Sequence, residues 1–305
     1  MKGFLGKAKN FVQKATENID KKEVAKKVAT FVGQRLLNKL GLNFSIEDWL
    51  KAHNEGTVEQ NTAELDKNAT NLAKLGNMPT GLTKAVFICC NTYTRPDYSL
   101  GVGPLNDAIT VAEYMKSIGF TVYYLHNPKS QEFLKYFKYF LANTQNYLVV
   151  YYTGHGASVD DTNGDEADGK DEALVFDDAF IVDDILADTI ANSGKPQSSK
   201  VCLLSDCCHS GSIYDLQSGN FKGRQMPQNV MSLSAAKDEE TAKQTSIEGT
   251  DSGIFTFYFF KLLSAKTSLT PKQMDGEING YLKKFDQNYI CYATNPPFLD
   301  QTIFQ

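Results

Sequence analysis

The sequence predicts an α/β domain with a mainly parallel central sheet flanked by helices on both faces, preceded by a helical N-terminal extension. Three observations carry that reading. From Lys84 onward, apolar runs of strand length alternate with runs of helical periodicity, the order that parallel sheets require. Two of these runs, Tyr147-Leu148-Val149-Val150-Tyr151-Tyr152 and Val201-Cys202-Leu203-Leu204, are apolar throughout, as strands covered on both faces are. The 305 residues, 42% hydrophobic and 22% charged, have the composition of a globular chain long enough to bury a large core.

Residues 1–80 form a unit of different character. Phe4, Leu5, Phe11, Val12, Val24, Val28, Phe31, Val32, Leu36 and Leu37 recur at helical spacing with lysines between them. Residues 53–78 are polar and Asn-rich, and read as a weakly structured linker ending near Pro79-Thr80-Gly81. The α/β domain then covers 82–305. Its predicted strands are 85–90, 121–125, 147–152, 173–176, 201–204 and 229–235. Its predicted helices are 104–118, 131–141, 182–191, 254–263 and 271–285, with Leu105, Ile109, Ala112 and Met115 sharing one face of the first.

The net charge of -5 hides an asymmetry: residues 1–80 carry 13 Lys/Arg against 9 Asp/Glu, and the remainder is acidic. An acidic main body argues against nucleic acid as a partner and suits cationic ligands or metal ions. The six cysteines show no CxxC spacing and include two adjacent pairs, which fits a reducing compartment. With no continuous apolar stretch near the N-terminus and no run of 18 apolar residues, a cytoplasmic chain without a membrane span is expected.

Chemistry concentrates where the two apolar strands stop. One runs into Thr153-Gly154-His155-Gly156, the other into Ser205-Asp206-Cys207-Cys208-His209-Ser210-Gly211. Neighbouring parallel strands deliver both ends to the edge where open α/β sheets bind ligands. A thiol of ordinary pKa is mostly protonated at neutral pH, so a nearby imidazole is the economical activator. Backbone N–H groups at Gly156 and at the nucleophile would stabilise an oxyanion. A Cys–His dyad performing acyl transfer is the chemistry these residues support.

These two motifs together resemble the signature pair of the metacaspases, caspase-fold cysteine peptidases. Ser234-Ala235-Ala236-Lys237-Asp238-Glu239-Glu240-Thr241-Ala242, Gly253-Ile254-Phe255-Thr256 and Leu105-Asn106-Asp107-Ala108 extend the resemblance over about 85–260. It implies a caspase-like fold and a monomeric peptidase acting on protein substrates. Cys208 becomes the nucleophile, His155 the base, and Cys207 a packing neighbour. Asp206 matches the acidic floor of the S1 pocket, where a carboxylate pairs with a P1 Arg or Lys and rejects an acidic side chain. Thr153 stands where many members have Ser, and Asn91 or Asp97 is expected as a further pocket residue.

Residues 160–172 are dense in oxygen ligands, but Glu166 stands where a calcium-binding EF-hand loop needs glycine. Hard oxygen donors suit Ca2+ better than Zn2+. The resemblance implies calcium dependence, with Asp171 (or Asp168), the pair Asp183-Asp184, and Asp215 as ligands. A basic, helical segment attached to an acidic domain, together with the occluding N-terminal segments of family members, leads to the expectation that residues 1–80 restrain the resting active site; Lys222, Arg224, Lys237 and Lys243 are candidate positions for self-cleavage. A catalytically silent caspase-fold binding or scaffold protein is the alternative, and it normally lacks the His or the Cys.

Overall fold

The computed structural model describes residues 54–160, 170–207, 212–217, 221–237 and 253–305. In chain order these give α1 (Val58–Leu65), β1 (Thr70–Asn71), β2 (Lys84–Cys90), α2 (Gly103–Ser117), β3 (Thr121–His126), α3 (Ser130–Asn143) and β4 (Tyr147–Thr153). There follow β5 (Gly156–Asp160), β6 (Lys170–Val175), β7 (Phe180–Val182), α4 (Asp183–Ala191), β8 (Lys200–Asp206) and β9 (Val230–Lys237). The chain ends with α5 (Ile254–Ala265), α6 (Pro271–Leu282) and β10 (Gln287–Ala293).

Seven strands form the main sheet in the order β1-β3-β2-β4-β8-β9-β10. Every pairing is parallel except β9 with β10. Alternating side chains on the central strands point to opposite faces. Val86, Ile88, Val149, Tyr151, Cys202 and Leu204 pack under α2, α5 and α6. Ala85, Phe87, Leu148, Val150, Val201 and Leu203 pack under α3 and α4. This double coverage is why β2, β4 and β8 read as unbroken apolar runs. Phe133, Phe137 and Phe140 recur along the inner face of α3, and Phe87 stacks between Phe133 and Phe140 at centroid distances of 5.7 and 5.2 Å.

The segment read as a linker is structured from residue 54 onward. Thr57 and Gln60 form a reciprocal capping box that starts α1. Leu65 and Leu72 are buried in the core, and β1 extends the sheet by pairing with β3. With only Asn61 and Leu65 buried along α1, the sequence lacks the apolar stripe that normally announces a helix. The expectations for residues 1–53 lie outside the described residues.

A second, antiparallel sheet, β5-β6-β7, stands over the carboxyl edge of the first. It springs directly from β4 through Gly154 and His155. Its β5–β6 connection, residues 161–169, lies outside the described residues, as does Asp168 with it.

Candidate active site

Register brings the predicted strand ends together: Thr153 of β4 pairs with Asp206 of β8, and Cys90 of β2 pairs with Thr153 on the other side. His155 follows two residues after Thr153 and is 5% exposed. Its Nε2 lies 2.8 Å from the Tyr98 carbonyl oxygen. A carbonyl only accepts, so in the neutral ring Nε2 carries the proton and Nδ1 keeps its lone pair. Burial pulls the imidazole below its ordinary pKa, and the Tyr98 carbonyl works against that pull. The imidazole is therefore neutral at physiological pH.

The main chain of His155 is clamped as well. Its N–H donates to the Tyr93 hydroxyl at 2.6 Å, and its carbonyl accepts from the Tyr152 hydroxyl at 2.9 Å. Gly154 makes this approach possible, since a Cβ there would lie 2.8 Å from Tyr93 Oη and 2.9 Å from Tyr152 Oη. Gly156 opens β5 opposite Leu174. Cys208, with His209, Ser210 and Gly211, lies outside the described residues. Cys207, just before it, is buried among apolar side chains.

Cys89, Cys90 and Cys202 are wholly buried, and burial raises all three thiols. Burial also raises Cys291, on β10 at the far edge of the sheet. These four are poor nucleophiles.

Two buried carboxylates, Asp206 and Asp107, stand near the paired ends of β4 and β8. Asp206 Oδ2 accepts from the Thr256 N–H at 2.9 Å and from its hydroxyl at 2.6 Å, at the first turn of α5. Burial, then the charge of Asp107, push Asp206 up to about 6. Asp107, fully buried near the start of α2, accepts from Thr153 Oγ1 at 3.4 Å. Sequence reasoning placed Asp107 in a helix signature but did not bring it to the ends of β4 and β8. Of the candidates it named, Asn91 is buried, with its amide 3.7 Å from Cys89 Sγ. Asp97 is exposed and pairs with Arg95 at 2.8 Å.

A second acidic group stands at the head of α4. Asp183, Asp184 and Asp215 each offer a carboxylate oxygen within 4.8 Å of the others. Asp171 is buried on β6 and does not join that group, whereas Glu172 would lie opposite Asp183 if the β6–β7 register ran on by one residue. Asp183 is fully buried, and its Oδ2 has no hydrogen-bond partner among the described residues. An all-oxygen donor set with an orphaned buried oxygen fits a hard divalent cation.

A family model described as Caspase domain matches residues 82–297. Metacaspase-1 of Arabidopsis thaliana is 33% identical over 141 residues, 38% of this chain and 38% of its own length. Metacaspase III c of Phaeodactylum tricornutum is 31% identical over 172 residues, 49% of this chain and 50% of its own. The chain thus spans about two fifths to one half of the length of these curated relatives. Among solved structures, a Geobacter sulfurreducens protein aligns with a TM-score of 0.52 at 19% identity, covering 73% of this chain and 98% of that protein, a likeness of fold.

Proposed function

Because the chain belongs to the caspase domain family, we propose that it is a calcium-dependent cysteine endopeptidase cutting after Arg or Lys. The observation that carries this reading is the state of His155 at the sheet edge. With Nε2–H held by the Tyr98 carbonyl, Nδ1 is the atom left to take a proton. In the proposed reaction the Cys208 thiol gives its proton to Nδ1, and the thiolate attacks the scissile carbonyl carbon. The backbone N–H groups of Gly156 and Cys208 meet the developing oxyanion. His155 then protonates the departing amine, leaving an acyl-enzyme, and a water activated by the same imidazole hydrolyses the thioester.

The buried Asp206 and Asp107 beside Thr153 support the specificity. Two carboxylates in one desolvated pocket favour a guanidinium or ammonium and repel an acidic side chain. The cation would be held by Asp183, Asp184 and Asp215, where it would supply positive charge among the carboxylates.

The test is hydrolysis of two fluorogenic peptides, one with P1 Arg and one with P1 Asp, with calcium and with chelator. Release from the Arg peptide alone, dependent on calcium and lost in Cys208→Ala, is expected. Full activity in Cys208→Ala, or cleavage of the Asp peptide instead, overturns the reading. Silence of the folded protein under every condition points first to a restrained zymogen and second to the catalytically silent binding protein.

A further inference from the structure

Two basic side chains already sit among the carboxylates at the head of α4. Arg224 Nη1 lies 3.1 Å from Asp215 Oδ2, and its Nε donates to Asp188 Oδ1 at 2.6 Å. Its Nη2 donates to Asp184 Oδ1. The Lys222 ammonium lies 3.1 Å from the other Asp215 oxygen, Oδ1. Both basic side chains are 15% exposed. Both oxygens of Asp215 and one of Asp184 are therefore engaged by cations that belong to the chain itself.

The position of the guanidinium matters more than its charge. It bridges Asp184 and Asp215, two of the three carboxylates that a metal ion would bridge. A calcium ion needs oxygen ligands at about 2.3–2.6 Å and takes about six to eight of them. The space between Asp184 and Asp215 holds one bridging cation at a time. The segment that supplies the basic groups is also held under load. Phe221 and Lys222 are consecutive non-glycine residues in the left-handed region, with φ of 47° and 50°. Such a pair persists where surrounding contacts enforce it. Here the ion pairs of Lys222 and Arg224 are contacts of that kind.

We propose that Lys222 and Arg224 are tethered occupants of the carboxylate site, and that a divalent cation binds there only by expelling them. The proposal rests on the calcium reading above and adds a competitor built into the same chain. Metal uptake and retention of the 221–224 segment are then mutually exclusive. The apparent affinity for calcium falls by the fraction of molecules in which the site stands open. The expelled segment carries two basic side chains into solvent, so calcium is read out as the exposure of a basic stretch.

The test uses the full chain with Cys208→Ala, which prevents self-cleavage. Calcium binding is measured by calorimetry in this protein and with Arg224→Gln or Lys222→Gln added. Removing the occupant is expected to tighten calcium binding by about tenfold or more for Arg224→Gln, the open fraction being below about one tenth, and by less for Lys222→Gln. Independently, in the protein with both basic residues intact, trypsin cleavage after Lys222 and Arg224 is followed by mass spectrometry across a calcium titration. Cleavage there is expected to rise with calcium. This arm decides the matter if Arg224→Gln does not fold. Weaker or unchanged binding in both variants, or protection of the segment by calcium, overturns the competition and makes the basic residues companions of the metal. Absence of calcium binding in all three folded proteins overturns the calcium reading itself, a result distinct from the first.

Discussion

Tyr93 shows how a residue outside the reacting groups sets them in place. Its hydroxyl accepts from the His155 N–H and lies 3.1 Å from the Val175 carbonyl, while its ring centroid sits 4.9 Å from the imidazole. The backbone at Tyr93 has a φ of 63°, costly for an aromatic residue. Asn127 Oδ1 holds it there by accepting from the N–H groups of Thr92 and Tyr93 at 2.8 and 3.0 Å. Tyr93→Phe keeps the ring but leaves the His155 N–H without its acceptor, a cost of about 1–3 kcal/mol. We expect kcat to fall roughly tenfold with KM nearly unchanged, a positioning effect of about 1.4 kcal/mol on the barrier. The acid limb of kcat should also move to lower pH as the Tyr98 bond loosens. A purely structural residue would lower the melting temperature and leave both kinetic quantities of the folded protein in place.

His155 and Asp206 were legible in the sequence because each stands at or just beyond the end of a buried strand. Tyr93 was not, because its partners lie 62 and 82 positions further along the chain. Asp107 was visible as part of a motif, yet its place near Thr153 appears only when α2 begins beside the end of β4. Cys208 remains a sequence-derived assignment.

The end of β8 and the start of α5 share one carboxylate. Asp206 takes two hydrogen bonds from Thr256, so it holds the first turn of α5 as well as lining the proposed pocket. Its pKa, about 6 in the fold, lies above the usual carboxylate value. Its contribution to stability is therefore complete at pH below that usual value and is lost as pH rises through about 6. Substrate recognition runs the opposite way, because only the ionised group attracts a P1 cation. The KM for an Arg peptide should rise as pH falls below about 6. Thr256→Val removes the hydroxyl donor and keeps the backbone one. We expect it to cost about 1–3 kcal/mol in thermal or denaturant unfolding. It should also shift the KM transition to higher pH, whereas a shift to lower pH would refute this role for Thr256.

Strands covered on both faces were the easiest to read. β10 escaped notice because it is a half-exposed edge strand of mixed polarity, and β1 because two residues carry no period. The capping box of α1 was a readable signal that the scarcity of apolar residues in that segment outweighed.

The mainly parallel sheet with helices on both faces follows from the alternation of strand and helix, but its beginning does not coincide with the change in composition near residue 80. Leu65 and Leu72 belong to the core, and β1 covers the edge of β3. A chain starting at Gly81 would lose two buried leucines, worth roughly 1.5–3 kcal/mol each, and would bare a strand edge. It should melt markedly lower than the full chain, while one starting at Asn54 should keep these contacts and melt above it. Equal melting temperatures for the two truncated chains would contradict the assignment of residues 54–80 to the core. The idea that the N-terminal region restrains the site is tested with the Asn54 start, which separates restraint from damage to the fold.

Finally, β10 lies antiparallel to β9 over seven residue pairs, from Gln287 opposite Lys237 to Ala293 opposite Met231. The stretch joining β9 to α5, residues 238–252, lies outside the described residues. Phe255 and Phe259 are wedged in the core, and Thr256 is hydrogen-bonded to Asp206. These contacts join the parts of the chain before residue 237 and after residue 253 independently of the stretch between them. Severing it would produce two polypeptides on a denaturing gel and one particle in solution, with the two pieces bound as the strands of a single sheet.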